Sequence, residues 1–258
     1  MTFADAKQRF SARVADYVRY RPSYPSALLD LLRAECSLRA GHIIADIGSG
    51  TGFLSELFLK NGNRVFGIEP NEAMRQAGEE YLASYNGFAS INGSAESTTL
   101  DDVSVDFVTA GQAFHWFDQN AARAEFIRLL KPAGWVVVIW NERLTDTTPF
   151  LRSYESLLQT FGTDYATVKE SYPSEQHMRD FFGPDAYASR TLPNFQEFDF
   201  EGVAGRLRSS SFMPAADNPN FAPMMEELQR IFTEYSQHDR VRLEYSTRIY
   251  FGHLEGAR

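Results

Sequence analysis

The sequence holds a single cysteine, Cys36, among 258 residues. One thiol cannot close a disulfide within the chain, nor assemble a cysteine-ligated zinc or iron–sulfur site. Radical chemistry that depends on such a cluster is excluded with it, and no metal is expected. Cys36 lies in a Leu-rich helical pattern, so its expected role is packing rather than nucleophilic attack. Positive charge is also short: 25 Lys and Arg face 34 Asp and Glu, a formal net charge of -9. A broad phosphate-binding face needs the opposite balance, so no nucleic-acid partner is expected. Long apolar runs are missing too. Runs such as Trp135 to Trp140 are far too short to span a bilayer, and the opening MTFADAKQRF lacks the apolar core of a signal peptide. The expectation is a cytoplasmic protein that does not act at a membrane. No internal repeat, low-complexity tract or linker breaks the chain.

What is present is 43% hydrophobic residues, enough for a sizeable core. Helices are expected at about 4–20 and 26–39, separated by the proline-rich YRPSYP. The near-continuous apolar HIIADIG that follows suits a strand covered on both faces. Helix and strand then alternate: helix 52–61, strand 64–68, helix 72–85, a short strand 89–92, strand 105–110, helix 120–130, and the strand WVVVIW after Lys131, Pro132 and Gly134. This order means βαβ units and a doubly wound, seven-stranded, mostly parallel α/β sheet. Beyond residue 141 the pattern changes. Helix is expected over 149–182 and 221–236, and strands over 195–200 and 241–253. The whole chain reads as one domain, 1–258, with its core at about 40–141 and helical lid insertions at about 145–190 and 202–240.

The first strand runs into D-I-G-S-G-T-G, Asp46 to Gly52. Its glycines allow a sharp turn and close approach of a ligand. In an open α/β sheet that ligand sits at the carboxyl ends of the strands, near the switch point. Glu69 closes the second strand in GIEPN, about twenty residues on, where an acid can accept hydrogen bonds from a ribose diol. So far a dinucleotide fits as well. Two details favour a ligand carrying an ammonium and a sulfonium instead. The third small residue of the dinucleotide fingerprint is replaced by Phe53. Asp46, just before the loop, sits badly beside a pyrophosphate and well beside a cation.

With DIGSGTG and GIEPN the chain resembles the class I S-adenosylmethionine (SAM)-dependent methyltransferases, particularly the subgroup catalogued as type 11. It looks most like small-molecule methyltransferases of the trans-aconitate type. The resemblance covers roughly residues 15 to 141. Beyond that it rests on RLRSSSFMP, 206–214, and the closing strand. It implies SAM as methyl donor and S-adenosylhomocysteine as product. By the same resemblance, Asp46, Gly48, Ser49 and Gly50 face the amino-acid part of SAM, and Glu69 holds the ribose. Pro70, Asn71, Met74, Ser94, Ala95 and Glu96 lie near the adenine. Gln112 and Ala113, in the stretch AGQAFHWFD, line the reaction site beneath the sulfonium. Tyr17 and Arg21, in YVRYRPSYP, close over the methionine end. The segment lacks the Asn/Asp-Pro-Pro-aromatic motif of enzymes that methylate nucleobase amines, and the chain has no Pro-Cys pair of the C5-cytosine type.

His115 is the histidine next to the end of the fourth strand, and it is the expected catalytic base if the acceptor needs one. A carboxylate acceptor needs none. Trp116 and Arg143 are candidate substrate contacts, and Arg206 and Arg208 are further candidate clamps for a carboxylate. The expected activity is methyl transfer to a small molecule, with carboxylate or hydroxyl oxygen favoured. The alternatives are a SAM-binding protein without methyl transfer and a NAD-type oxidoreductase. The acceptor's identity and the oligomeric state are not legible.

Overall fold

The computed structural model describes residues 18–163, 165 and 172–255. The expected N-terminal helix and Tyr17 lie largely or wholly outside this range. Helix α1 (Ala27–Cys36) carries Leu28, Leu32 and Cys36 on one buried stripe. Burial pushes the Cys36 thiol up to about 12, with Glu35 adding to the rise, so the thiol stays protonated and packs. Ser37, in the left-handed region at φ 54°, ends the helix before the expected Arg39.

Strand β1 (Ile43–Ile47), helix α2 (Phe53–Lys60), strand β2 (Arg64–Ile68), helix α3 (Glu72–Tyr81), strand β3 (Phe88–Ile91) and strand β4 (Val105–Gly111) follow in the expected alternation. A short 3-10 turn (Phe114–Trp116) and helix α4 (Gln119–Leu129) lead to strand β5 (Leu130–Arg143). Here the structure departs from the expectation of a break at Lys131–Gly134. Leu130 already pairs with Val105, and Trp135 pairs with Phe107, so residues 131–134 bulge from a continuous strand. Ala133 takes φ 59° in the bulge, and Lys131 Nζ anchors it to Asp106 at 2.9 Å.

Helices α5 (Pro149–Phe161) and α6 (Glu175–Phe182) occupy the ends of the expected helical stretch 149–182. Strand β6 (Tyr187–Phe198) begins well before the expected residue 195 and stops before 200. Its Pro193 is tolerated because β6 is an edge strand. The alternation FQEFDF is broken by Asp199, whose side chain accepts from Gly202 N at 2.8 Å and caps helix α7 (Phe200–Arg208). Helix α8 (Phe221–Tyr235) and strand β7 (Val241–Gly252) match the expectation closely.

The seven strands form one mixed, mostly parallel sheet in the order β3-β2-β1-β4-β5-β7-β6. β1 lies parallel to both β2 and β4, so the winding reverses between β1 and β4. Alternate residues of the central strands feed two cores. Ala45, Val108, Val136 and Val138 pack with Phe126 of α4 and Phe181 of α6. Ile44, Phe107, Val137 and Ile139 pack with Leu28 and Leu32 of α1 and Phe58 of α2. Two-sided burial explains why these strands read as unbroken apolar runs, and each such side chain contributes about 1.5–3 kcal/mol.

Two compact units divide the chain. One comprises Ser23–Asn141, Pro173–Leu192 and Thr247–Arg258, and contains both of these cores. The other comprises Met1–Pro22, Glu142–Tyr172 and Pro193–Ser246. Its own core joins Leu151 and Leu158 of α5, Leu207 of α7, Leu228 and Ile231 of α8, and Leu243 of β7. Among the described residues, no helix is long and apolar enough to cross a membrane.

Candidate functional site

The larger unit gathers most of the singled-out residues at the carboxyl ends of β1, β2 and β4. The chain leaves β1 at Ile47 and turns through Gly48, φ 67°, and Gly50, φ 56°. Both positions are in the left-handed region that glycine occupies without strain. Gly48 N and Ser49 N donate to Ile68 O at 2.8 and 3.0 Å, which ties the turn to the end of β2. A Cβ on Gly48 would lie 2.5 Å from Ala113 Cβ, so the β4 turn rests on the loop. A Cβ on Gly50 would meet only the tip of Met74, at 3.4 Å, and Gly48 O at 4.0 Å.

Glu69 spans the gap between loop and helix. Its Oε2 accepts from Gly50 N at 2.9 Å and its Oε1 from Asn71 N at 2.7 Å. Asn71 in turn caps α3 by accepting from Met74 N at 3.2 Å. Asp46 is fully buried. It accepts from Ser55 Oγ at 2.7 Å and from Thr109 Oγ1 at 3.2 Å. Burial nevertheless pushes its pKa up to about 7; the two hydroxyls pull it down, and the charge of Glu69 raises it again. Asp46 is therefore a carboxylate poised near neutrality, not a permanently ionised one.

Pro70, half-buried, follows Glu69. After β3, Ser94 and Ser97 exchange backbone hydrogen bonds and hold buried Ala95 between them. Glu96 Oε1 accepts from Asp118 N at 3.0 Å. Gln112, at φ 58°, ends β4 and accepts from Asn141 N at 2.7 Å. Asn141 is locked in turn by Thr247 Oγ1 at 2.6 Å. His115 packs between two indoles, with ring centroids 4.4 Å from Trp116 and 4.9 Å from Trp140. Burial lowers its pKa to about 4, so it is neutral at physiological pH. Two buried polar atoms of this unit, His115 Nδ1 and Thr51 Oγ1, have no hydrogen-bond partner among the described residues.

Arg21 and Arg143 belong to the other unit. Arg21 Nη2 donates to Ser209 O at 2.9 Å. Arg143 pairs with Glu155 Oε2, takes a second contact with the Tyr165 hydroxyl at 3.1 Å and lies over the Tyr154 ring. Sequence reasoning missed Ser55, Thr109 and Asn141. Ser55 was within reach, since a polar residue among the apolar positions of α2 signals a buried partner. The other two depend on strand register and left no local signal.

A doubly wound sheet with a glycine turn and an acid at its switch point is the Rossmann-like arrangement. The chain belongs to the SAM-dependent methyltransferase family. The profile of the methyltransferase domain matches residues 45–138. An uncharacterized methyltransferase of Geobacillus sp. is 30% identical over 150 residues, which cover 54% of this chain and 68% of that one. An uncharacterized methyltransferase-like protein of Schizosaccharomyces pombe is 26% identical over 253 residues, 96% of either chain. With an uncharacterized methyltransferase of Mycobacterium tuberculosis the identity is 34%, but the chain spans only 54% of that relative. Among solved structures, a protein of Anaeromyxobacter dehalogenans assigned as a type II methyltransferase superposes with a TM-score of 0.66 at 21% identity, covering 90% of this chain and 97% of its own; this likeness speaks to the fold.

Proposed function

We propose that this chain methylates a carboxylate or hydroxyl oxygen of a small molecule, an acceptor class like that of the trans-aconitate methyltransferases. Family membership implies SAM as the donor, and the residues of the loop fit it. Glu69, already aligned by Gly50 N and Asn71 N, accepts from the ribose diol. Asp46, Gly48, Ser49 and Gly50 receive the amino-acid end, where a cation draws the Asp46 proton off. Pro70, Asn71, Met74, Ser94, Ala95 and Glu96 border the adenine, and Gln112 and Ala113 the sulfonium. A pyrophosphate would meet two carboxylates in the same place, which disfavours a dinucleotide. When bound, SAM supplies an electrophilic methyl whose departure returns an electron pair to sulfur and leaves S-adenosylhomocysteine.

The observation that carries the acceptor class is the environment of His115. Methylating a hydroxyl releases a proton that a base must take; methylating a carboxylate gives a neutral ester and releases none. A histidine with a pKa near 4 is neutral and able to accept, yet it is a weak base toward an alcohol or phenol. This favours the carboxylate, with His115 and Trp116 shaping the acceptor's surroundings. A screen with methyl-labelled SAM across carboxylic acids, phenols, RNA and protein extract tests the reading. Labelled esters support it; labelling confined to RNA or protein sinks it.

A further inference from the structure

Three arginines of the smaller unit were candidate clamps, and the structure separates them. Arg143 is neutralised by Glu155. Arg208 pairs with Glu201 at 3.2 Å. Arg206, on the last turn of α7, has no carboxylate partner among the described residues, although it is only 8% exposed. Its Nε lies 3.4 Å from the Tyr245 hydroxyl. Its Nη1 lies 3.1 Å from Ser210 Oγ and 3.5 Å from Ser209 Oγ. Its Nη2 makes no hydrogen bond to any described residue.

A buried guanidinium without a counter-charge is expensive, and the carbonyls at a helix C-terminus return only a small part of that cost. The described residues around it hold the group in place without neutralising it. Tyr245 donates its proton to Gln196 Oε1 at 2.9 Å, which turns a lone pair of the phenol toward Arg206. Gln196 is fixed by donating to Tyr20 O at 3.1 Å. Ser209 Oγ donates to Arg206 O at 2.7 Å. Burial raises the pKa of the Tyr154 hydroxyl while the fields of Arg206, Arg143 and Arg21 oppose the rise, so three guanidiniums bear on one buried phenol.

We infer that the Arg206 cluster, with Tyr245, Ser209 and Ser210 around it, is a binding site for a carboxylate. A planar guanidinium matches a planar carboxylate in shape, and here Nη2 can donate to one oxygen directly while Nε or Nη1, held only by long contacts to hydroxyls, turns to the other. One uncompensated charge matches a monoanionic group, whereas a phosphate dianion would bring a second charge into a cluster of hydroxyls.

The test uses the full chain. Succinate, glutarate and benzoate are titrated by calorimetry and thermal shift, beside succinamide, benzamide and inorganic phosphate. At least one carboxylate should bind the wild type ten times or more tighter than its amide and tighter than phosphate. Arg206→Met should lose that preference, melt at or above the wild-type temperature because a buried unpaired charge is gone, and keep its SAM affinity. If Arg206→Met does not fold, Arg206→Lys takes its place: it keeps the charge, loses the fork and should bind the acid at least three times more weakly. Carboxylates no better than amides, phosphate binding tighter, or acid affinity indifferent to both variants would overturn the site. Failure of the wild type to bind SAM would strike the methyl-transfer reading instead and leave the carboxylate site standing.

Discussion

At Asp46 stability and binding pull in opposite directions. Its folded pKa, about 7, lies above its ordinary value of 3.8. The folded state therefore holds the proton more tightly, and stability declines as pH rises from about 4 through 7. Asp46→Asn should stabilise the ligand-free protein at pH 8, by an order of 2–4 kcal/mol, and leave it little changed at pH 3. SAM affinity of the wild type should strengthen as pH rises through about 7, and the variant should bind weakly with that slope gone. Melting curves and titrations at several pH values check both. Glu69→Ala should weaken SAM binding by about 1.5–3 kcal/mol, the worth of charge-assisted hydrogen bonds; an unchanged Kd with the fold intact would remove the ribose assignment. His115 carries the opposite shift, so between about 4 and 6.5 the unfolded chain takes the proton more readily and stability falls as pH drops. His115→Ala should cost little turnover on a carboxylate acceptor; a large fall with SAM affinity kept would point to a hydroxyl. The place of Glu69 and the glycines in one turn was legible because it is set by local sequence. The pKa of Asp46 was not, since Thr109 reaches it from another strand.

Among the elements, the loop from β1 to α2 is the most constrained. Gly48→Ala sets a methyl 2.5 Å from Ala113 Cβ, at a φ of 67° that a side chain resists. It should destabilise the fold, by about 1–3 kcal/mol, as well as weaken SAM binding. Gly50→Val puts a β-branched side chain at a φ of 56°, which is strained although its Cβ alone would meet only the tip of Met74 at 3.4 Å, so it should lower the melting temperature as well as the affinity; SAM binding as tight as wild type would displace the loop from the cofactor site. Helices with a single apolar stripe, such as α1 and α8, and strands buried on both sides were readable from their period. The start of α7 was not, because FQEFDF alternates up to the residue where Asp199 caps the helix. The bulge at 131–134 was misread for a related reason: Pro132 and Gly134 punctuate a chain that keeps its pairing on either side. Which of Arg143, Arg206 and Arg208 lacks an acid among the described residues was illegible too, since Glu155 and Glu201 find their partners through helical and tertiary placement.

On the scale of the whole molecule, three strands, β5, β6 and β7, each contribute residues to both compact units. We propose that the chain works as one domain, and calorimetric unfolding should then show a single transition; two separated transitions would contradict it. The acidic balance of the sequence, a net charge of -9, supports a small acceptor rather than a polyanion. The order β3-β2-β1-β4-β5 puts the loop and Glu69 at the switch point, where open α/β sheets bind their ligands; that the ligand here is the methyl donor is our proposal. Calorimetric titration of the wild type with SAM, S-adenosylhomocysteine and NAD, repeated on Glu69→Ala, asks most directly whether that is so. Saturable one-to-one binding of SAM and S-adenosylhomocysteine, no binding of NAD, and an affinity lowered in the variant are predicted. NAD bound in preference to SAM, or SAM bound equally well by both proteins, would contradict the assignment of the site.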